Sequence, residues 1–225
     1  MSERTPLFPI FLKLADRPCL VVGAGSVAAA KVKSLLDAGA RVTVVAPRAI
    51  WEVERLAAGN EIQWLPREFQ PADLDGAFLV IAATSDSGVN GRVFNKAKRR
   101  EIICNAVDDP PNCDFYFPAI VRRGDLQIAI STAGESPALA QRLRQELEAC
   151  FDESAGDWVR LVGILRRQIL ATQPPSEERK RILHLLARGG LQECSQIFAQ
   201  ERAAQTSMQQ DYLLDESLRA SESKS

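Results

Sequence analysis

The stretch VVGAGSVAAAKVKSLLDAG, residues 21–39, constrains this chain more than any other. A β-branched apolar run ends in glycines at Gly23 and Gly25, and a helical pattern begins at once. Within it Ala28, Val32, Leu35 and Leu36 fall at i, i+4, i+7 and i+8, a stripe that must lie against a sheet. Gly39 supplies the stop. Each position of the turn has a physical task. Gly23 permits the tight bend, Gly25 lets the backbone approach a pyrophosphate, and the small Ala28 lets helix and strand close up. The helix start then aims unpaired N–H groups and a positive dipole end at the phosphates. The turn therefore reads as a dinucleotide site formed by Gly23, Ala24, Gly25, Ser26 and Val27, against the plainer alternative of a turn that holds nothing.

Beyond the turn, short β-branched runs alternate with helical patterns. Strands are expected at 18–22, 41–46, 61–65, 77–83 and 102–107, and helices at 26–38, 49–58 and 89–99. Residues 77–83 are apolar on both faces, as a central parallel strand should be. The expected class is α/β, a Rossmann-like parallel sheet. After Asp114 the texture changes: FYFPAIV and LQIAIST read as strands around the turn Arg122-Arg123-Gly124-Asp125. Ser136 then reads as a helix N-cap with Pro137 in the first helical position, and Leu139, Leu143 and Leu147 form an apolar stripe. From Trp158 to about Arg202 the pattern is helical only, broken at Pro174-Pro175 and Gly189-Gly190, and the end DESLRASESKS reads as a loose tail.

Composition narrows the partners. With 28 Lys and Arg against 29 Asp and Glu the net charge is −1, which argues against nucleic-acid binding. The apolar run at 77–83 falls far short of the roughly 20 residues needed to span a bilayer, so no membrane segment is expected. The opening MSERTPLFPIFLKLADR is not expected to act as a secretory signal. The five cysteines, Cys19, Cys104, Cys113, Cys150 and Cys194, are odd in number and form no CxxC pair. They suit reduced thiols in the cytoplasm better than disulfides or a zinc site.

The cofactor and the chemistry are less directly written. About 20 residues beyond the glycines an NAD site usually offers Asp or Glu to the ribose hydroxyls, whereas this chain has Val44-Val45-Ala46-Pro47-Arg48. Ala46 and Pro47 then stand beside the ribose, and Arg48 suits a 2′-phosphate, so NAD and NADP both remain open. The single histidine, His184, lies within a helical pattern and reads as an ordinary helix residue rather than a base. Neither Tyr116 nor Tyr212 has a lysine four positions on. What remains at the carboxyl ends of the parallel strands, where such sheets bind ligands, is polar and acidic: Thr84, Ser85 and Asp86, then Asn105, Asp108 and Asp109. Thr84, Asn105 and Val107 are the strand-end candidates for cofactor contact.

Several longer segments together carry a family likeness: PIFLKL (9–14), VVGAGSVAAAK (21–31), AATSD (82–86), CNAVDDP (104–110), FPAIVRRGDLQIAIST (117–132) and GESPALAQRLRQELE (134–148). In this order they resemble the siroheme synthase N-terminal family, whose members are precorrin-2 dehydrogenases and in some cases sirohydrochlorin ferrochelatases. The resemblance implies NAD-dependent oxidation of precorrin-2 to sirohydrochlorin, with Fe²⁺ as a further substrate in bifunctional members. It also implies a homodimer. The corresponding division is a dinucleotide-binding domain over 1–113, a small α+β dimerisation region over 114–150, a helical domain over 151–208 and a flexible tail over 209–225. The methyltransferase domain fused in some relatives is not expected.

The family's catalytic aspartate matches Asp108. A carboxylate in a poorly solvated crevice gains basicity, which suits it to take the proton released on oxidation. A turn residue ahead of Pro110 is the alternative reading. Thr132 matches a position where relatives carry a serine near the substrate, and Ser136 matches the family's Ser-Pro position, although capping alone accounts for it. Arg122, Arg123, Arg142 and Arg144 are candidates for the carboxylates of the tetrapyrrole, with Arg122 and Arg142 taken as substrate-binding and solvated surface as their plainer fate. Cys104 and Cys113 read as packing residues rather than iron ligands, and no metal site is expected. Relatives often carry three successive glycines where Ala24 interrupts here, and a basic residue where Ala30 precedes Lys31. Against this enzyme stands a second reading, a dinucleotide-binding redox sensor without catalysis, which needs the glycine turn but not the acidic strand ends.

Overall fold

A computed structural model describes residues 6–188. The expected tail at 209–225, the Gly189-Gly190 break, Cys194 and the helical pattern beyond 188 lie outside those residues. The chain divides into two compact units, one running to Phe117 and including Ala133–Glu135, the other formed by Pro118–Thr132 and the chain from Ser136 onward.

The first unit is a parallel α/β sheet. Its strands β1 (Pro18–Val22), β2 (Arg41–Val45), β3 (Gln63–Leu65), β4 (Leu79–Ala82) and β5 (Ile103–Ala106) lie in the order β3-β2-β1-β4-β5, every neighbour parallel. Helices α1 (Ser26–Asp37), α2 (Trp51–Ala58) and α3 (Ser87–Lys98) make three of the four crossovers, and the 3₁₀ turn Pro71–Leu74 lies in the one from β3 to β4. All four residues of β4 are buried, as expected for a strand covered on both faces. The apolar stripe of α1 packs as the sequence demands: Ala28, Val32 and Leu35 are buried and Leu36 packs against the same cluster. Gly39, at φ +77, closes the helix by donating to the Leu36 carbonyl.

Most elements are shorter by one or two residues at an end than the alternation of apolar residues predicts. The strand expected at 61–65 begins only at Gln63, and the helix expected from residue 49 begins at Trp51. Helix α3 instead starts earlier than expected, at Ser87, because Asp86 caps it: its carboxylate accepts from the Gly88 and Val89 amides.

The second unit begins with an antiparallel hairpin, β6 (Ala119–Arg123) and β7 (Leu126–Ile130), with Arg123 opposite Leu126. The connection is therefore the two residues Gly124-Asp125, and Arg122 and Arg123 belong to the strand rather than to a four-residue turn. Val121 is buried between exposed Ile120 and Arg122, so strand alternation continues through the arginines. Helices α4 (Pro137–Cys150), α5 (Ser154–Thr172) and α6 (Glu177–Leu186) follow. Pro174-Pro175 separates the last two, as expected. Leu139 of the expected α4 stripe is exposed, and Ala140 is the buried residue of that helix. Among the described residues no helix is long and apolar enough to cross a membrane.

Candidate functional site

The strand ends of the first unit meet in one place. Past β1 the Gly23 amide donates to the Val45 carbonyl; past β4 the Ala83 amide donates to Val22; past β5 the Val107 amide donates to Ala82. The order reverses between β1 and β4, which opens the crevice where such sheets hold ligands.

The glycine turn separates two roles. Gly23 lies at φ +112, and a Cβ there would stand 2.3 Å from the Ala83 carbonyl oxygen, so the fold itself requires glycine. Gly25 has an ordinary φ of −84 and is the N-cap of α1, and a Cβ there would meet nothing within 4 Å. Neither its backbone nor its neighbours explain the absence of a side chain, and the space it leaves open lies at the helix start. That start has no side-chain cap and no acidic residue in its first turn. Gly25, Ser26 and Val27 are all exposed. An uncapped, acid-free helix N-terminus behind an open glycine fits a pyrophosphate. Ala24 is buried, and its carbonyl accepts from the Ile50 amide.

Beside this turn, the Ala46 carbonyl accepts from the Trp64 indole N–H at 3.1 Å, while Pro47 and Arg48 are exposed. Thr84 is held by Asn90, buried in α3, whose Oδ1 accepts from the Thr84 amide and hydroxyl and whose Nδ2 donates to the Thr84 carbonyl. Nothing in the sequence marks Asn90 for this work except its polarity at a helix position that faces inward. Asn105 is also buried, and its Nδ2 donates to the Phe115 carbonyl at 2.7 Å. Its side chain therefore braces the loop after β5. Cys104 is buried, and burial pushes its thiol up to about 12, helped by the nearby Asp114 carboxylate. Among the described residues no cluster of three or more His, Cys, Asp or Glu is arranged to hold a metal ion.

Asp108 and Asp109 differ sharply. Asp109 accepts from the Asn112 side chain at 2.6 Å, whereas among the described residues the Asp108 carboxylate has no hydrogen bond or ion pair. Asp108 sits at φ +60, in the left-handed region, two residues beyond the end of β5. It is exposed, so this unit alone does not supply the poorly solvated crevice expected around it. Asp86, counted among the acidic strand ends, is occupied as a cap. Close to Asp108 lies Lys31, a residue whose part in the site no motif announces. The Lys31 ammonium rests 3.5 Å over the Phe117 ring centroid. Burial lowers its pKa, with the Asp108 carboxylate acting in the opposite direction. The contact joins residues far apart in the chain, and local pattern carries no trace of it.

In the second unit, Thr132 and Ser136 are tied to each other. The Thr132 hydroxyl donates to the Ser136 carbonyl and accepts from its amide, both at 3.1 Å, while the Ser136 hydroxyl accepts from the Leu139 amide. Of the four arginines, Arg142 pairs with Glu146 at 2.8 Å, Arg144 with Glu148, and Arg123 with Glu148 and Glu153. Arg122 is exposed, without a carboxylate partner among the described residues. His184 lies in the last turn of α6.

Two family models match this chain, an NAD(P)-binding model over residues 10–119 and a sirohaem biosynthesis protein central model over residues 123–149. A siroheme synthase of Neisseria meningitidis serogroup C is 47% identical over 174 residues, 77% of this chain and 36% of that protein. Siroheme synthase 1 of Serratia proteamaculans is 44% identical over 77% of this chain and 36% of its own length. A siroheme synthase of Photorhabdus laumondii is 39% identical over 86% of this chain and 43% of its own length. The chain thus spans well under half the length of these relatives. The solved structure of SirC, a precorrin-2 dehydrogenase, matches with a TM-score of 0.73 and 28% identity over 86% of this chain and 98% of that one. The NAD(P)-binding match includes both the glycine turn and Asp108.

Proposed function

The chain belongs to the siroheme synthase N-terminal family, and from that premise we propose that it is an NAD-dependent dehydrogenase that oxidises precorrin-2 to sirohydrochlorin. The observation that carries this is the pairing of an open Gly25 at an uncapped helix start with an Asp108 carboxylate that accepts no hydrogen bond among the described residues, both at the carboxyl end of one parallel sheet.

In the proposed reaction precorrin-2 loses two hydrogens, one as hydride and one as a proton, giving sirohydrochlorin, NADH and H⁺. NAD⁺, when bound, is the hydride acceptor. The chain's own residues do the rest. The amides at Gly25, Ser26 and Val27 hold the pyrophosphate, with Ala24 and Gly23 shaping the bend. Ala46 and Pro47 flank the ribose, and Thr84, Asn105 and Val107 line the nicotinamide end. Asp108 takes the proton, because among the described residues its carboxylate accepts no hydrogen bond, whereas the Asp109 carboxylate is already engaged by Asn112. Thr132, Ser136, Arg122 and Arg142 are assigned to the substrate, with Arg122 the one of these arginines that has no carboxylate to give up among the described residues. Fe²⁺ insertion into sirohydrochlorin is the second activity proposed, with the ion as substrate.

Residues 1–113 form the dinucleotide-binding domain in this reading, 114–150 the dimerisation region of a homodimer, and 151–208 a helical domain. Support for the dimer comes from the hairpin β6-β7, a two-stranded sheet with open edges, and from the exposed Ile120 and Leu139. The four described cysteines are free, which supports a cytoplasmic location.

The test is anaerobic mixing of protein, precorrin-2 and NAD⁺ while the visible spectrum is followed. A growing sirohydrochlorin band with matching NADH absorbance is expected, faster with NAD⁺ than with NADP⁺. A flat trace with both coenzymes refutes the enzyme. Coenzyme binding that survives without turnover identifies the sensor instead. Adding Fe²⁺ to sirohydrochlorin tests the second activity, and an unchanged spectrum removes it.

A further inference from the structure

Lys31 is a cation with no task in the site described so far. It lies on α1, the helix whose start faces the proposed pyrophosphate, and its ammonium covers the Phe117 ring at 3.5 Å. It is half-buried, yet among the described residues none of its donors has a hydrogen-bond acceptor and no carboxylate pairs with it. A partly desolvated ammonium without a protein acceptor carries a cost that an incoming acceptor relieves, whereas Lys180 meets the Glu177 carboxylate at an exposed helix position. Asp108 is near enough to act on Lys31 electrostatically but forms no ion pair with it. The ring beneath the ammonium, Phe117, is itself exposed, and Phe115 packs edge-on against it. A cation set in exposed aromatic surface, beside a free carboxylate, fits a flat apolar ring system with an acidic rim.

We propose that Lys31 anchors a carboxylate on the rim of the tetrapyrrole, so that the macrocycle lies beside the exposed Phe117 ring with its reacting edge at Asp108. The inference rests on the dehydrogenase reading above and adds to it a residue that positions the substrate and sets its specificity. The ammonium supplies a charge-assisted hydrogen bond on a partly dry surface, where such bonds are strong. Its seat on Phe117 fixes the direction of that bond before the substrate arrives.

The test uses the full chain and sirohydrochlorin as the probe, with its methyl ester as the uncharged control. Lys31→Met keeps the stem and the apolar contact with Phe117 but removes the charge. It is expected to weaken sirohydrochlorin binding about tenfold or more, as loss of a charged hydrogen bond does, and to raise KM for precorrin-2 with little change in kcat. NAD⁺ affinity and the thermal midpoint stay at wild-type values, and Lys31→Arg restores most of the binding. With the ester, wild type and Lys31→Met bind alike, an outcome that a merely structural role would not give. Equal sirohydrochlorin binding by wild type and Lys31→Met overturns the anchor while leaving the dehydrogenase intact. A wild-type chain that neither binds sirohydrochlorin nor oxidises precorrin-2 removes both.

Discussion

Gly23 and Ala83 approach so closely across the ends of β1 and β4 that a Cβ on the glycine would lie 2.3 Å from the alanine carbonyl oxygen and 2.7 Å from its carbonyl carbon. Both atoms are backbone, so no side chain can swing away to make room. Gly23→Ala must therefore push the two strand ends apart as well as force a non-glycine residue to φ +112. The backbone strain alone costs about 1–3 kcal/mol, and the displacement adds to it. A lower urea midpoint with an unchanged m-value is expected, together with loss of coenzyme binding. A variant as stable as wild type would show that the turn reshapes freely.

Gly25 should behave in the opposite way. With φ −84 and nothing within 4 Å of where a Cβ would stand, Gly25→Val leaves the strand ends untouched. Stability is expected to change by no more than about 1 kcal/mol, since glycine is only a modest N-cap. Coenzyme affinity is expected to fall by about tenfold or more, because the side chain fills the space the pyrophosphate needs. Calorimetric titration beside a urea curve reads both quantities. Unimpaired coenzyme binding by Gly25→Val would mean that the phosphates lie elsewhere.

The contrast between these two glycines also shows what the sequence could tell. The strand, turn and helix from Pro18 to Asp37 were legible because every requirement there is local: an apolar run, a bend and a periodic stripe. The buried β4 was legible for the same reason. What escaped was non-local or capping-dependent. Asp86 looked like one more acid at a strand end, when its neighbours Gly88 and Val89 make it the cap that starts α3. Arg122 and Arg123 read as half of a four-residue turn with Gly124 and Asp125, whereas pairing with Gln127 and Leu126 keeps them in β6. Lys31 lies in plain view at the end of the glycine-turn segment, but its partner Phe117 comes from the chain after β5, and no spacing rule links them.

Asp86 and Asp108 give the next contrast. Both follow parallel strands, but the Asp86 carboxylate accepts from two amides, whereas that of Asp108 accepts no hydrogen bond from the described residues. Asp86→Ala is expected to cost about 1 kcal/mol, the usual loss of a cap, with turnover per folded molecule unchanged. Asp108→Asn keeps a residue that tolerates the left-handed turn at φ +60, so its stability should match wild type. Turnover of precorrin-2 should nevertheless fall by about 100-fold or more, as removal of a general base does. Steady-state rates normalised to folded protein separate the two, and full activity in Asp108→Asn would take that carboxylate out of the chemistry.

Acid sensitivity should trace to a third carboxylate, away from the crevice. The Asp73 side chain is only 6% exposed, in the short 3₁₀ turn Pro71–Leu74 that seats the fully buried Leu74. Hydrogen bonds from the Arg67 guanidinium, one of them 2.9 Å long, hold its carboxyl below the usual range against the opposing effect of burial, and the Gln70 amide adds to this at 2.8 Å. A carboxyl with a depressed folded-state pKa stabilises the native chain above its unfolded value, about 3.9. That stability is lost as pH falls from there through the lower folded value. Asp73→Asn should therefore be less stable than wild type at pH 7, and the gap should narrow as the medium is acidified below about pH 4. Arg67→Met should reduce the gap in the same window from the other side of the pair. Urea midpoints at pH 7, 5 and 3 measure the trend. Curves for wild type and Asp73→Asn that run parallel throughout would place the acid-labile group elsewhere, since a paired carboxylate cannot keep its full stabilising effect once protonated.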